Sequence, residues 1–364
     1  MLKNKSIGLL IGIGLMLTSC GEKSTPSGGE SFDRLTLLEQ VAERRIKPAF
    51  DSFSYHSNQL EVRAETFVQN KSAEHLALCQ EAWKKTFMAF QQVRMFNFGP
   101  GEKSLIGDVN ENLGTWPIDT NGVESRIIAG DLTMLDFRRD SRGLLAVEYL
   151  LFHPEASARF SGADSLKRSN YLLALTTDIS TWANEVNQAW LNQLGAFKAD
   201  NSKSAGSSTS ELYNHFLMSY ESIKNYQVAL PAGLLVGQTQ ADPSKVQNRY
   251  SRLSLEALKA HLSAIEAIWL GTALDGSTGI GFDDYLDKVS GGAELKQATL
   301  MQWQAIHQQL DAIPDDASLQ EMVVQDPEKV AALFAELQKM TRFLKSDLSS
   351  LLGIAITFSS GDGD

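Results

Sequence analysis

The run from Gly143 to Phe152 is apolar or aromatic at every position except Glu148. A stretch that is apolar on all sides predicts a helix buried inside the protein. A carboxylate within such a helix is costly unless it is ion-paired, hydrogen-bonded or kept neutral by a raised pKa. Glu148 therefore either ties two helices together or belongs to a functional site, and both interpretations are open at this stage.

Three arginines and the irregular segments next to this helix could supply the polar partner that Glu148 needs. The guanidinium groups of Arg126, Arg142 and Arg249 are candidates to pair with Glu148 or with Asp119. When buried, such pairs are as often structural as functional. The residues that we expect to line or support a ligand site are Trp116, Asp119, Arg126, Arg142, Gly143, Glu148 and Arg249.

Other residue types that carry catalysis form no compact set along the sequence. No two of the six histidines have the spacing of metal ligands, and no serine lies in a Gly-x-Ser-x-Gly turn. The glycine-rich stretch 276–281 lacks the spacing of a dinucleotide or phosphate loop. Asp283-Asp284 beside it favours a helix N-terminal pair, with weak cation binding as the alternative.

The first residues of the chain indicate export. A positive start at Lys3 and Lys5 precedes an apolar run, Ile7 to Leu17, that is too short to span a membrane. Leu17-Thr18-Ser19-Cys20 then resembles a bacterial lipobox. We interpret residues 1–19 as a lipoprotein signal peptide, with a plain secretory signal as the alternative.

Cys20 is then the lipidated residue that would attach the mature chain to a membrane without spanning it. Gly21 stands where an inner-membrane retention signal would have Asp, which favours the outer membrane, facing the periplasm or the cell surface. The other cysteine, Cys79, has no partner for a disulfide within the mature chain.

Composition describes an ordinary globular protein, with 43% hydrophobic and 21% charged residues. The formal net charge of −11 over 364 residues argues against an extended nucleic-acid surface. We therefore expect no nucleic-acid partner.

Apolar residues recur at helical spacing along most of the chain and hardly ever alternate, which predicts an all-α protein. Pro48 is expected to kink or split the first helix. The stretch 354–358 is the exception and is predicted to be extended. The predicted helices cover residues 35–70, 73–98, 121–129, 143–152, 163–197, 211–229, 246–269, 292–312 and 326–351, with a short one near 282–289.

A polar segment, residues 199–210, is the best internal boundary in the chain. About four core helices on each side of it predict two packed domains, each resembling a four-helix bundle. The predicted divisions are a signal peptide at 1–19, a flexible tether at 20–32, an N-terminal helical bundle at 33–198, a linker at 199–210, a C-terminal helical bundle at 211–358 and an acidic tail at 359–364.

Several short motifs, taken in order, resemble those of the imelysin family, the peptidase M75-like lipoproteins of bacterial outer membranes and periplasm. The resemblance covers nearly all of the mature chain and implies a ligand site between two helical bundles, with a link to iron uptake. The motifs are Ala82-Trp83, Phe96 to Pro100, Trp116 to Asp119, Gly143 to Phe152, Arg168 to Leu172, Leu270-Gly271 and Phe358 to Asp364.

One position departs from the family pattern. Gly143 to Glu148 corresponds to the family's Gly-x-His-x-x-Glu helix, and Leu145 stands at the histidine position. Residues three apart on a helix face the same way, so the family's His and Glu could share a metal ion. Leucine can neither ligate a metal nor transfer a proton. Glu148 is the one metal candidate left in the motif, and no catalytic residue is expected.

The resemblance and the departure together imply a lipid-anchored, non-catalytic protein that binds a ligand connected with iron, haem or other metal acquisition. Its expected partners are the membrane, through Cys20, and iron-uptake proteins. One alternative is an M75-type metallopeptidase with Glu148 as base and ligands from elsewhere in the chain. The other is a structural or assembly lipoprotein in which Glu148 is paired with a buried arginine.

Overall fold

The apolar stripes of the sequence pack against one another as helices, and the all-α prediction is confirmed. The computed structural model describes residues 32–103 and 107–358. Up to residue 199 its helices are α1 (Arg34–Val41), α2 (Lys47–Gln69), α3 (Ala73–Val93), α4 (Val109–Leu113), α5 (Thr120–Ala129), α6 (Gly143–Phe152), α7 (Ala156–Ser161) and α8 (Ser165–Ala199). A two-residue hairpin of β1 (Glu102–Lys103) and antiparallel β2 (Gly107–Asp108) precedes α4.

The second half of the chain is also helical. Its helices are α9 (Ser208–Ser222), α10 (Leu230–Ala232), α11 (Ser254–Trp269), α12 (Phe282–Leu286), α13 (Gly292–Asp311), α14 (Leu319–Gln325), α15 (Pro327–Thr341) and α16 (Ser349–Leu352). Three π-helical segments, Ala42–Ile46, Ile223–Ala229 and Arg342–Leu348, connect α1 to α2, α9 to α10 and α15 to α16.

Two sets of helices pack side by side. We call α2, α3, α6 and α8 the first helix group, and α9, α11, α13 and α15 the second helix group. Because α11 packs against α3, buried residues of both groups join in one hydrophobic cluster. By contact the described residues form one compact unit. The division into two bundles with the bounds given above stays a prediction.

Pro48 does not split the first helix. Proline has no N–H group, so the carbonyl of Arg44, four residues earlier, receives no helical hydrogen bond from it. The chain there is π-helical and continuous, and the Arg44 carbonyl accepts from the N–H of Leu274 instead, at 3.0 Å. A carbonyl freed by proline thus holds the loop that follows α11.

The predicted helix bounds hold closely at α5, α6 and α13 and less well at several other helices. Residues 246–253 were predicted to be helical, but α11 begins only at Ser254. Helix α9 begins at Ser208, inside the predicted linker, and α14 lies in a stretch for which no helix was predicted. The stretch 354–358 is assigned no strand, although Thr357 donates its N–H to Asn214 Oδ1 at 2.8 Å.

Several predictions fall outside the described residues. They are the signal peptide 1–19, Cys20, the tether up to residue 31 and the acidic tail 359–364. The last tether residue, Phe32, is described; it is buried, and its ring stacks on Tyr285 at a centroid distance of 4.1 Å.

Candidate functional site

Glu148 lies on α6, which packs against α3 and α8 of the first helix group and against α4. Its side chain is 2% exposed, as the all-apolar run predicts. The indole N–H of Trp83 on α3 donates to the carbonyl of Leu144 at 2.8 Å, and Gln80 Nε2 donates to the carbonyl of Leu151 at 2.7 Å. These two bonds fix the start and end of α6 against α3, and so fix the depth of Glu148.

The start of α6 depends on Gly143. Its φ of +75° lies in the left-handed region that favours glycine. A Cβ at this position would lie 2.7 Å from the carbonyl oxygen of Leu113 and 2.9 Å from that of Asn112. Gly143 is therefore required by the backbone path and by the close approach of α4.

The polar partner of Glu148 is a serine from the second half of the chain. Glu148 Oε1 accepts from the backbone N–H of Ser251 at 2.9 Å and from its hydroxyl at 2.8 Å. Ser251 belongs to residues 246–253, which lead into α11 and which we call the α11 entry loop. The partner of Glu148 therefore comes not from the irregular segments next to α6, as expected, but from residues that were predicted to be helical, and the contact joins the two halves of the chain.

Burial raises the pKa of Glu148 to about 7. The hydrogen bonds from Ser251, a backbone hydrogen bond from Tyr250 and the positive charge of Arg249 act in the opposite direction. Desolvation dominates because an ionised carboxylate loses most of its hydration in an apolar site. Near neutral pH the group is therefore balanced between its charged and neutral forms.

The α11 entry loop is held in an uncommon backbone conformation. Asn248 has φ +59° and Arg252 has φ +61°, values that few residues other than glycine adopt. Both polar atoms of the Asn248 side chain are buried and have no partner within the described part of the chain. Outliers of this kind gather at functional sites, where the surrounding structure holds them in place.

Two carboxylates from different directions hold this loop. On one side Ser251 donates to Glu148, and on the other Arg252 donates to both carboxylate oxygens of Glu321, at 2.6 and 2.9 Å. Glu321 lies in α14. The loop is therefore fixed to both halves of the chain at neighbouring residues.

Aromatic rings cover the loop next to Glu148. The ring of Tyr250 lies 5.3 Å from that of Tyr149 and 6.1 Å from that of His153. Arg249 lies over the Tyr250 ring at 4.6 Å and donates to its hydroxyl at 2.7 Å. Of the arginines predicted from the sequence, Arg249 is the one that the structure brings to the Glu148 region.

The other two arginines have different partners, so they do not pair with Glu148 or Asp119 as proposed from the sequence. Arg126 is fully buried and donates to Asp136, at 2.6 Å for Oδ1. Arg142, also buried, donates to the carbonyl of Asp136 at 3.2 Å and lies 3.8 Å from Asp178. Both arginines hold the irregular segment between α5 and α6.

Asp119 and Trp116 also lie away from the Glu148 contact network. Asp119 is exposed and caps α5, where its Oδ1 accepts from the N–H of Asn121 at 3.0 Å. Trp116 is half-buried, forms a cis peptide with Pro117, and has an indole N–H with no partner among the described residues. No contact in the described regions joins either residue to Glu148.

A groove of about 530 Å³ lies between the helix groups. Its walls come from α2 and α3 on one side and from the beginning of α11 on the other. Leu253, two residues after Ser251, forms part of its lining. The full lining is Ser52, His56, Glu81, Lys84, Lys85, Met88, Ala89, Gln92, Leu253 and Glu256.

A metal site of the ordinary kind is not assembled in the described regions. Nowhere in residues 32–103 and 107–358 do three or more His, Cys, Asp or Glu side chains come together in a way that could hold an ion. Leu145, at the family's histidine position, is 1% exposed and part of the hydrophobic core. The contacts of Glu148 join α6 to the α11 entry loop.

The fold is that of an all-helical protein in which two helix groups pack against each other, with Glu148 bonded to the loop that leads into α11. The chain belongs to the imelysin family, because the Imelysin (Peptidase_M75) family model matches residues 46–347. No curated protein gives a significant match.

Two solved structures have the same fold. An imelysin-like protein from Psychrobacter arcticum 273-4 is 18% identical, with a TM-score of 0.71, over 89% of this chain and 97% of the other. A protein from Parabacteroides distasonis ATCC 8503, described as an iron-regulated protein A precursor, is 14% identical, with a TM-score of 0.73, over 89% and 97% of the two chains.

None of the helices in the described part of the chain combines the length and the apolar character that crossing a bilayer requires. The predicted anchor at Cys20 lies outside this part of the chain.

The sequence missed the two most informative residues, Ser251 and Asn248. A helical apolar pattern continued through 246–253, and nothing in the local sequence indicated a turn there. Ser251 is also 103 positions away from Glu148, so no local signal linked them.

Proposed function

We propose that this protein is a lipid-anchored, non-catalytic binding protein of the bacterial envelope that takes part in iron or haem acquisition. The carrying observation is the Glu148–Ser251 contact, which holds the α11 entry loop at the edge of the groove between the helix groups. The name of the similar Parabacteroides distasonis protein supports the link to iron.

The groove has the size and chemistry of a ligand site. Pockets for small molecules and cofactors typically enclose about 300–1,000 Å³ and combine apolar surface with a few polar groups. Here Met88, Ala89 and Leu253 supply apolar surface. Lys84 and Lys85 can pair with the carboxylates of a haem or of an organic iron chelate, and His56 can donate a hydrogen bond to them. Burial and the charge of Lys85 lower the pKa of His56, so His56 adds a hydrogen bond rather than a charge. The carboxylates of the groove are Glu81 and Glu256.

In this proposal Glu148 is a positioning residue rather than a metal ligand or base. Its two hydrogen bonds fix Ser251, and thereby Leu253 and Glu256, against α2 and α3. Leu145 in place of the family's histidine removes one of the two groups that the family motif would offer to a metal. This argues for binding rather than peptide hydrolysis.

The binding proposal is tested with haem and with ferric citrate as probes, by absorbance titration and calorimetry. The double variant Lys84→Ser/Lys85→Ser should weaken binding at least tenfold, because it removes two groove cations. Glu61→Gln is the control, since Glu61 joins α2 to α8 through Thr177 and Ser180, away from the groove. It should bind like the wild type.

Three outcomes would contradict this function. If neither probe binds, or if the double variant binds as the wild type does, the groove is not the iron site. The interpretation in which Glu148 only joins two parts of the structure would then be preferred. Digestion of casein by the purified protein, abolished by a chelator, would contradict the non-catalytic assignment and restore the metallopeptidase alternative.

Anchoring at Cys20 has a separate test. Cells that express the full chain should incorporate labelled palmitate into it, and the protein should fractionate with the outer membrane. The Cys20→Ser variant should lose the label and leave the membrane fraction. Retention of the label in this variant would contradict lipidation at Cys20.

A further inference from the structure

Five large apolar side chains are exposed around the segment between α5 and α6, and we call them the apolar patch. The exposed fractions are 61% for Ile128, 46% for Leu132, 69% for Leu135, 89% for Phe137 and 70% for Leu166. The first four come from the end of α5 and the residues after it, and the fifth lies in the first turn of α8. Single exposed apolar residues are ordinary, whereas a group of them marks a surface that contacts a partner.

Contacts between the end of α5 and the start of α8 bring the patch together. Lys167 Nζ donates to the carbonyl of Ile128 at 2.6 Å, which fixes the first turn of α8 beside the last turn of α5. Leu132 and Leu135 line a surface groove of about 780 Å³ whose other wall is α8, where it includes Leu173. The patch is therefore one continuous surface and not a set of scattered side chains.

Buried arginines hold the segment that carries the patch. Arg126 donates to Asp136 at 2.6 Å and lies 3.6 Å from Asp131. Arg138 donates to Asp131 at 2.6 Å, and Arg142 donates to the carbonyl of Asp136 at 3.2 Å. A backbone fixed in this way does not have to be ordered when a partner binds. The same ion pairs neutralise the two carboxylates within the segment.

We propose that the apolar patch docks on the surface of a phospholipid bilayer, with Phe137 entering the region between the headgroups and the acyl chains. Interfacial segments of membrane-bound proteins combine Phe or Leu with Lys and Arg. Lys167 supplies such a cation at the edge of the patch. The carboxylates of the adjoining groove, Asp178 and Glu185, lie about three and five turns further along α8 from the start of that helix.

The choice of a bilayer as the partner rests on one part of the proposed function, the lipid anchor at Cys20. Residues 20–31 separate this anchor from Phe32, and a chain of that length reaches roughly 40 Å when fully extended. The folded part of the protein is then always close to the membrane, at an effective concentration at which weak contacts suffice. A few apolar side chains therefore decide which face of the protein meets the bilayer.

Docking through the patch turns the groove between the helix groups away from the bilayer. Helices α8 and α3 each pack against α2 and α6, so they lie diagonally across the first helix group. The patch lies on the α8 side, whereas α3 forms part of the groove wall and packs against α11. A ligand that arrives from the side opposite the membrane can then enter the groove while the protein stays docked.

Quenching of fluorescence by lipid tests the docking. The mature chain, residues 20–364, is coupled through the Cys20 thiol to a maleimide lipid in vesicles of phosphatidylethanolamine and phosphatidylglycerol, with or without bromine on the acyl chains. The other cysteine, Cys79, does not react, because it is buried and burial raises its pKa to about 12. Chemical coupling supplies the anchor, so the measurement does not depend on lipidation in cells.

Phe137→Trp adds a fluorophore to the patch. Its signal, taken as the difference from the wild type, should fall by roughly half or more in brominated vesicles, because the ring leaves water for the bilayer interface. Tyr226→Trp is the matched control, since Tyr226 is an aromatic residue of the second half of the chain that is 54% exposed. Its signal should be the same in both kinds of vesicle.

A second pair of variants tests whether the patch acts as a unit. Leu132→Ser/Leu135→Ser, added to the Phe137→Trp chain, should remove most of the quenching. Val236→Ser, a change at an exposed valine of the second half of the chain, should leave it unchanged. All of these positions are exposed, so we expect every variant to fold.

Two results would overturn the proposal. One is a Phe137→Trp signal that is quenched no more than that of Tyr226→Trp, which would make a protein the partner to seek for the patch. The other is quenching that survives Leu132→Ser/Leu135→Ser. Absence of palmitate from Cys20 in cells would contradict the anchoring alone, because the coupled chain carries its anchor in either case.

Discussion

At the scale of single residues, Glu148 couples the stability of the protein to pH. Its pKa is about 7 in the folded protein and has the ordinary value of 4.5 in the unfolded chain. Between these two pH values the folded state therefore binds more protons than the unfolded state. The free energy of unfolding should consequently fall as pH rises from about 4.5 to about 7, by about 3 kcal/mol in total from this group.

Glu148→Gln should remove that contribution, because glutamine has no proton to lose in this range. Urea unfolding of both proteins at about pH 5 and about pH 8 measures the effect as a difference between the two pH values. The wild type should lose more stability than the variant on going to the higher pH. If both proteins lose the same free energy of unfolding between the two pH values, Glu148 does not titrate in this range. Glu61→Gln is the control for removing a carboxylate that lies between helices.

Ser251 should show the complementary behaviour. Ser251→Ala keeps the backbone N–H that bonds to Glu148 but removes the hydroxyl, which donates at 2.8 Å. The loss should be about 1–3 kcal/mol above pH 7, where the acceptor is charged, and smaller near pH 4.5. Ser180→Ala, which removes a hydroxyl that donates to Glu61, is the matched control. An equal loss at both pH values would contradict this account.

The residues that join α6 to the α11 entry loop were only partly predictable from the sequence. The burial of Glu148 followed from the types of its neighbours, since a lone carboxylate in an apolar run leaves few alternatives. The identity of its partner did not follow from the sequence, because the sequence around Ser251 has no distinctive feature. Ser251 meets Glu148 only through the path of the folded chain. Arginine was expected as the partner because charge complementarity is visible in sequence, whereas a backbone N–H donor is not.

At the scale of elements, the start of α6 is constrained both by its backbone conformation and by the close approach of α4. Gly143→Ala would place a Cβ 2.7 Å from the Leu113 carbonyl at φ +75°. We expect a loss of more than about 2 kcal/mol, as strain and displacement of α4 add together. Gly130→Ala is the control, because its φ is +67° but nothing lies within 4 Å of the new Cβ. It should cost about 1 kcal/mol.

Thermal or urea unfolding of the two glycine variants separates steric crowding from backbone conformation. Similar losses of stability in the two variants would show that α4 moves easily to accommodate the new methyl group.

The helices also differ in how well their positions could be predicted from the sequence. Helix α6 was placed correctly because a run that is apolar except at Glu148 ends just before His153-Pro154. The α11 entry loop was missed because its apolar residues keep helical spacing.

At the scale of the whole molecule, the question is whether the two helix groups unfold together. Three features join them: the packing of α11 on α3, the bonds from Ser251 to Glu148, and a hydrophobic cluster that includes residues of both groups. Separate stability would require each group to bury its own apolar faces, yet α3 and α11 bury part of theirs against each other. We therefore expect one cooperative transition.

The six tryptophans allow this to be measured. Trp269 and Trp303 belong to the second helix group, so Trp269→Phe/Trp303→Phe leaves fluorescence from the first half of the chain, while circular dichroism reports helices of both groups. In urea the two signals should change at the same denaturant concentration, which is the behaviour of a two-state unit. Two separated midpoints would instead mean that each group folds by itself. The contact between Glu148 and Ser251 would then lie at a hinge between two domains. A change of pH would in that case alter the movement of the domains relative to each other rather than the free energy of unfolding.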